Sequence, residues 1–316
     1  MKIIFAGNKE RGITCLNALI SAGHEILLVI AHPDLKSQIN CENFAGIVKK
    51  KGFPVIQPVD VNRADILNQI RRLAPDLIVL AGYGQIVREP FFNIAPYGCI
   101  NLHGGNLPEY RGSSPMNWAL INNEPEFTLS IIKVDCGVDT GDVLLERTFS
   151  VSENDTIADL QNLANSVFPE MLIRVVNDIQ ESKILGKKQD NSFASYYPLR
   201  FPDDGLILWD QLTALQIHNR IRALTDPYPG AFTYFNGERV KLLRSSLPEN
   251  NYYGEPGRVY RKTSFGLLVC ASDRCIWIQH AIFDKDGSSI IDTIQRYEKF
   301  ATVRDTIASL LARDKL

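Results

Sequence analysis

"MKIIFAGNKERGITCLNALISAGHEILLVIAH", residues 1–32, decides the fold. "MKIIFAG" is a short β-branched run that ends in glycine. "ERGITCLNALISAG" then places Ile13, Leu16, Leu19 and Ile20 at helical spacing. "EILLVIAH" is apolar again and shows no alternation. Strands without an in–out alternation are covered on both faces, and two of them separated by a helix make a parallel βαβ unit. The pattern repeats. "NFAGIVKKKG" reads as a second helix, "PVIQP" as a third strand, "ADILNQIRRLA" as a third helix and "PDLIVLAGY" as a fourth, nearly continuous apolar strand. The sequence predicts a doubly wound, Rossmann-like α/β domain with a parallel sheet.

The chain has 316 residues, more than one small core accommodates, which predicts two domains. A hydrophobic share of 45% with 22% charged residues is that of a globular protein. The formal net charge is −2 and the densest basic run, "VKKKGF", is one short cluster, so charge argues against nucleic acid as the main partner. Cys15, Cys41, Cys99, Cys136, Cys270 and Cys275 have no CxxC spacing, which indicates neither a zinc site nor a disulfide framework. The opening apolar run is too short for a signal peptide, and no span of ~20 apolar residues offers a membrane helix. The chain reads as cytoplasmic, with no membrane partner.

Further along, "VSENDTIADLQNLANSVFPEMLIRVVNDI" begins in a capping region and continues as a long amphipathic helix. "SYYPLRFPDDG", residues 195–205, is rich in proline and turn formers and marks a boundary between a domain of residues 1–200 and one of residues 206–316. Beyond it, "TALQIHNRIRAL" is a helix. "GAFTYF", "ERVKLLRSS", "GRVYRK", "GLLVCAS" and "CIWIQHAIF" are closely spaced short strands, which predicts a small antiparallel, OB-like β-barrel.

The first turn, "GNKERG", has glycines only at Gly7 and Gly12, so the dinucleotide fingerprint is absent and NAD is disfavoured. Ligands of an open α/β sheet still collect at the carboxyl ends of its strands. The unusual chemistry sits in the loops expected there: "GNKERG", "AGYGQIV", "NLHGGNLPEYRG" and "DCGVDTGD". Asn101 and His103 stand two apart at a strand end and share a face, and Gly104 and Gly105 let the backbone turn away without covering it. Asp139 lies on the glycine-bracketed loop that follows "TLSIIKV". Taken singly, each reads more often as an ordinary loop, turn or cap residue than as a catalyst. Together, an imidazole, a carboxylate and a carboxamide are what proton transfer at a carbonyl requires. Ser113 and Ser114 lie ten residues past the histidine, not where a covalent nucleophile is needed, which favours direct attack by a substrate nucleophile. His24, His32, His218 and His280 show no ligand spacing, so no metal is expected.

"NLHGGNLPEYRGSSPMNWAL" (101–120) with "DCGVDTGD" (135–142) resembles the signature of the formyltransferases that use 10-formyltetrahydrofolate, and Asn101, His103 and Asp139 match that family's catalytic triad position by position. The resemblance spans nearly the whole chain, since "DDGLILWDQLTALQIHNRIRALTDPYPGAFTYFNG" is similar to the start of the family's smaller, barrel-like C-terminal domain. It implies attack of a primary amine on the formyl carbon through a tetrahedral intermediate. His103 would accept or relay the ammonium proton, Asp139 would hold His103 and help protonate the departing folate nitrogen, and Asn101 would donate to the oxyanion. The pterin would lie along Gly82, Tyr83, Gly84, Gln85, Ile86 and Val87 and against Asp135, Gly137, Val138 and Asp142.

Two acceptors compete within the resemblance. Methionyl-tRNA formyltransferases carry a basic, glycine-rich insertion after the second strand, where this chain has "AHPDLKSQINCENFAG" with one lysine. "RALTDPYPGAFTY" is similar to formyltransferases of nucleotide-linked amino sugars, of the type acting on UDP-4-amino-4-deoxy-arabinose. The expected acceptor is therefore a UDP- or dTDP-linked amino sugar destined for a surface glycan, with no nucleic acid partner. Asn8, Lys9 and Arg11 would contact sugar or phosphate, and Arg111 would hold the diphosphate through bidentate donors. Gly104, Gly105, Asn106, Glu109 and Tyr110 would line the same loop, and Tyr228 of "DPYPG" would stack near the base at the domain junction. A methionyl-tRNA formyltransferase is the alternative. A formyltetrahydrofolate hydrolase would normally carry an N-terminal regulatory extension, whereas the first strand starts at residue 2, and the intact triad argues against a non-catalytic nucleotide-sugar binder. The oligomeric state stays open, a homodimer through exposed apolar strands being one arrangement.

Overall fold

The computed structural model describes residues 1–33, 43–183, 186–305 and 307. The chain forms two compact units. The first comprises Met1–Pro115, Glu126–Phe149 and Gln161–Pro198, and the second Met116–Pro125, Ser150–Leu160 and Leu199–Leu316.

In the first unit, strand and helix alternate as the apolar pattern dictates: β1 (Lys2–Gly7), α1 (Lys9–Ser21), β2 (Glu25–Ile30), α2 (Phe44–Lys50), β3 (Val55–Ile56), α3 (Ala64–Leu73) and β4 (Leu77–Ala81). After α4 (Glu89–Phe92) comes β5 (Cys99–His103). Every residue of β4 is buried, as is every residue of β1 after Lys2. That is why neither strand alternates. Ile4, Ala6, Leu28, Ile30, Ile78 and Leu80 form the core with Leu67 and Ile70 of α3 and Phe91 of α4, each large side chain contributing roughly 1.5–3 kcal/mol by leaving water. The first five strands of the sheet run in the order β3-β2-β1-β4-β5 and are parallel.

Two more strands extend this sheet beyond β5. β6 (Arg111–Gly112) and α5 (Pro115–Ile121) intervene, and β7 (Glu126–Lys133) then pairs antiparallel with β5, His103 opposite Ser130 and Ile100 opposite Lys133. An apolar run has no direction in its composition, because either pairing buries it. β8 (Val143–Ser150) follows as the neighbour of β7, and contacts from Lys133 N–H to the Asp142 carbonyl (2.9 Å) and between the Thr128 and Thr148 hydroxyls (2.9 Å) make the two a hairpin. "DCGVDTGD" is thus a hairpin tip, not the carboxyl end of a parallel strand. After α6 (Ile157–Gln180), the chain returns as β9 (Tyr196–Tyr197), which pairs parallel with β6.

In the second unit, α7 (Ala214–Leu224) starts at a capping box of Thr213 and Gln216. It packs on a five-stranded antiparallel sheet formed by β10 (Ala231–Phe235), β11 (Glu238–Ser246), β12 (Val259–Thr263), β13 (Gly266–Cys270) and β14 (Cys275–Phe283), in the order β10-β11-β14-β13-β12. α8 (Ile290–Thr293) follows. Trp209, fully buried, stacks on Phe300 at 5.5 Å and donates its indole N–H to the Thr233 hydroxyl at 2.9 Å. Among the described residues no helix is long and apolar enough to cross a membrane.

Candidate active site

The period of a strand puts Asn101 and His103 on one face of β5, and the hairpin tip brings Asp139 to that face. Asn101 Nδ2 lies 3.4 Å from Asp139 Oδ1, and His103 Nδ1 lies 3.5 Å from Asp139 Oδ2. The same carboxylate oxygen accepts the Gly112 N–H at 2.9 Å. His103 is 5% exposed and Asp139 14%. His103 Nε2 lies 2.7 Å from the carbonyl of Tyr110. A carbonyl only accepts, so this partner assigns a hydrogen to Nε2, and Nδ1 faces the Asp139 carboxylate. Gly105 makes room for this arrangement, since a Cβ there would fall 2.6 Å from Pro115 Cβ and 2.9 Å from both His103 Nε2 and the Tyr110 carbonyl. Asp139 itself has φ 52, in the left-handed region that aspartate tolerates better than most residues.

Of the residues expected along a pterin, several spend their side chains on the protein. Gln85 accepts the Val61 N–H and donates to the Pro58 carbonyl, both at 2.9 Å, and Tyr83 and Val87 pack against the sheet core. Ile86 is 75% exposed, and Gly82 and Gly84 keep an open backbone. The Gly84 N–H donates to His32 Nε2 at 2.9 Å, and the His32 ring stacks on Tyr83 at 4.7 Å. Burial holds the His32 imidazole below its usual range and, together with Asp60, pushes the Tyr83 phenol up. On the hairpin tip, Asp135 Oδ1 accepts from the Gly137 N–H and the Thr140 hydroxyl and so shapes the turn. Val138 is 48% exposed, and the Asp142 side chain lies against Gly186. Ile86 and Val138 thus leave apolar side chains exposed on the two loops, while the Tyr83 hydroxyl is buried with no hydrogen-bond partner among the described residues. No group of three or more His, Cys, Asp or Glu among the described residues could hold a metal ion.

The expected acceptor contacts are placed as follows. Asn8 caps α1 by accepting the Lys9 N–H, Lys9 is exposed at φ 53, and Arg11 lies over the Phe168 ring at 5.1 Å. Asn106 is exposed, Gly104 is buried, and the Glu109 carbonyl accepts from the Ser195 hydroxyl. Arg111 requires a correction. It is 1% exposed, and its guanidinium bonds Gln189 Oε1 (3.1 and 2.8 Å), the Tyr196 hydroxyl (2.9 Å) and Asn191 Oδ1 (2.8 Å), which leaves it no fork for a diphosphate. The Tyr110 ring, 8% exposed, stacks on Tyr197 at 4.7 Å, so this residue serves the cluster through its carbonyl. Tyr228 belongs to the second unit, half-buried in the turn after α7, its N–H on the Thr225 carbonyl at 3.1 Å. Sequence reasoning passed over His32 and Gln189. His32 stands at the carboxyl end of a parallel strand, a usable signal, whereas Gln189 lies in a polar stretch that has none.

A sheet that is parallel through β5, with an Asn–His–Asp cluster at the carboxyl end of that strand, and an antiparallel C-terminal unit after it make a formyltransferase. The chain belongs to that family: residues 1–176 match the formyl transferase domain and residues 201–297 the formyl transferase C-terminal domain. It is 34% identical over 283 residues to the methionyl-tRNA formyltransferase of Geobacter sulfurreducens, covering 88% of each chain. It is 36% identical over 281 residues to that of Pelobacter propionicus, covering 88% of this chain and 87% of the other. Among solved structures, an N-formyltransferase from Helicobacter canadensis, in complex with folinic acid and dTDP-3-aminofucose, superposes with a TM-score of 0.68 at 19% identity, covering 88% of this chain and 99% of that one. At that identity the likeness is one of fold.

These relatives overturn the expectation of a nucleotide-linked amino sugar as acceptor, and with it the surface-glycan product. That expectation weighed a thirteen-residue similarity and the low charge of residues 31–46 above the whole chain. Residues 34–42 of that stretch lie outside the described residues, and Arg111, its diphosphate ligand, is buried and paired.

Proposed function

We propose that this chain is a methionyl-tRNA formyltransferase that moves a formyl group from 10-formyltetrahydrofolate to the α-amine of methionine esterified to tRNA. The observation that carries the reading is 34–36% identity to enzymes of that name over 88% of the chain, together with a proton-accepting cluster suited to an amine nucleophile.

Ile86, Val138 and the backbone of Gly82, Gly84 and Gly137 would hold the folate, which supplies the electrophilic formyl carbon. His103 Nδ1 and Asp139 Oδ2, 3.5 Å apart, take up the proton that the attacking amine must lose. Asp139 can return a proton to the leaving nitrogen. Asn101 offers one amide hydrogen to Asp139 Oδ1 and has a second for the formyl oxygen as it gains negative charge. Asn8 at the cap of α1, and Lys9 and Arg11 in its first turn, are suited to the acceptor's phosphate or ribose.

The test uses purified protein, 10-formyltetrahydrofolate and charged initiator tRNA. Formylmethionyl-tRNA should form, while UDP- and dTDP-linked amino sugars should remain unformylated. Formylation of an amino sugar at a comparable rate, or release of formate to water with no need for an amine, would overturn the reading.

A further inference from the structure

Gln189 connects two parts of the first unit. Its Oε1 accepts from Arg111 Nε and Nη2, and its Nε2 donates to the carbonyls of Asp139 at 2.9 Å and Gly141 at 2.7 Å. Both amide hydrogens and the amide oxygen are engaged, and Arg111 is fixed in turn by Tyr196 and Asn191. The backbone that Gln189 grips holds Asp139 at φ 52, a conformation that persists only where the surroundings over-determine it. The tip is tight as well, since a Cβ on Gly141 would fall 2.0 Å from the Lys133 carbonyl. The dipeptide Arg111–Gly112 thus pins Asp139 twice, through the Gly112 N–H on its carboxylate and through Arg111 and Gln189 on its main chain.

We propose that Gln189 is a positioning residue for Asp139. It sets the distance from the carboxylate to His103 and Asn101 by fixing the backbone on which Asp139 stands. The inference rests on reading Asn101, His103 and Asp139 as the formyl-transfer site.

Gln189→Glu keeps an acceptor for Arg111 and removes both donations to the hairpin tip, and Gln189→Met removes both halves at similar length. With methionyl-tRNA and 10-formyltetrahydrofolate, Gln189→Glu should lower kcat about tenfold to a hundredfold, the cost of a misplacement on the order of 1 Å, with both KM values within about twofold. In histidine-labelled protein, both variants should move the His103 imidazole resonances in the direction that Asp139→Asn moves them, while His24, His32, His218 and His280 keep theirs. The spectrum reads the positioning role whatever the acceptor proves to be, whereas wild-type turnover reads the proposed function. A folded variant with His103 unmoved, or a raised KM with unchanged kcat, would overturn the inference. So would loss of the fold in both variants, which would leave Gln189 a structural role alone.

Discussion

Asp139 meets His103, Asn101 and the Gly112 N–H through its carboxylate and Gln189 through its carbonyl, so one residue sets the geometry of the whole cluster. Truncating it removes the acceptor that faces His103 Nδ1, and truncating His103 removes the ring. Asp139→Ala and His103→Ala should each abolish most formyl transfer through kcat while folate affinity, read by fluorescence titration, stays nearly intact, because these groups act on the transition state more than on the ground state. Asn101→Ala removes an amide donor and should cost on the order of a hundredfold in rate without abolishing it. Equal losses of affinity and rate would give the cluster a structural role instead. That Asn101 and His103 share a face was legible in the sequence, because a strand has a period of two. Gln189 was not, because a glutamine in a polar stretch has no periodicity and its partners lie 48, 50 and 78 residues away in the chain.

The shortest elements hold the site in place. β6 and β9 have two residues each, and Gly112, at φ +98, brings them together. A Cβ on Gly112 would fall 2.3 Å from the Tyr197 carbonyl. Gly112→Ala combines that clash with an unfavourable backbone and should destabilise the protein by about 1–3 kcal/mol. A thermal melt would read this as about 2–4 °C for each kcal/mol, and kcat should fall with it because the Gly112 N–H holds Asp139. A variant that melts and turns over like the wild type would show that the β6–β9 pairing does not support the site. Elements of this size leave no trace in a pattern analysis. β1, β2, β4 and the helices α1 and α3 were legible because long apolar runs and helical spacing have strong periods. The antiparallel direction of β7 was not, because burial alone specifies a strand and leaves its direction to the loop that precedes it.

At the scale of the whole molecule, a net charge of −2 misdirected the choice of acceptor. A total charge averages over the surface and says nothing about the field at one patch, where a polyanion is gripped. The distribution of titrating groups is more informative about stability. Burial holds His24, His32 and His218 below the usual histidine range, more than the smaller effects of the N-terminal amine on His24 and of Glu153 and Arg222 on His218. His218 faces the Ser245 hydroxyl at 2.9 Å and the Glu153 carbonyl at 3.0 Å, with Arg222 beside it. A histidine whose folded pKa is depressed favours the neutral form, so its stabilisation is complete above the unfolded value of about 6.5 and is lost as pH falls through that value toward the folded one. Asp159 and Asp284 are also depressed, through hydrogen bonds from Thr156 and Lys241, but they release their contribution only below about pH 4. The histidine window therefore stands apart. Calorimetry should show the melting temperature falling between pH 7.5 and 5. His218→Gln should be less stable than the wild type at pH 7.5 and closer to it at pH 5, because the glutamine has no charge to gain. A wild-type melting temperature that stays flat across that range, or a variant that runs parallel to it, would show that the buried histidines do not govern acid stability.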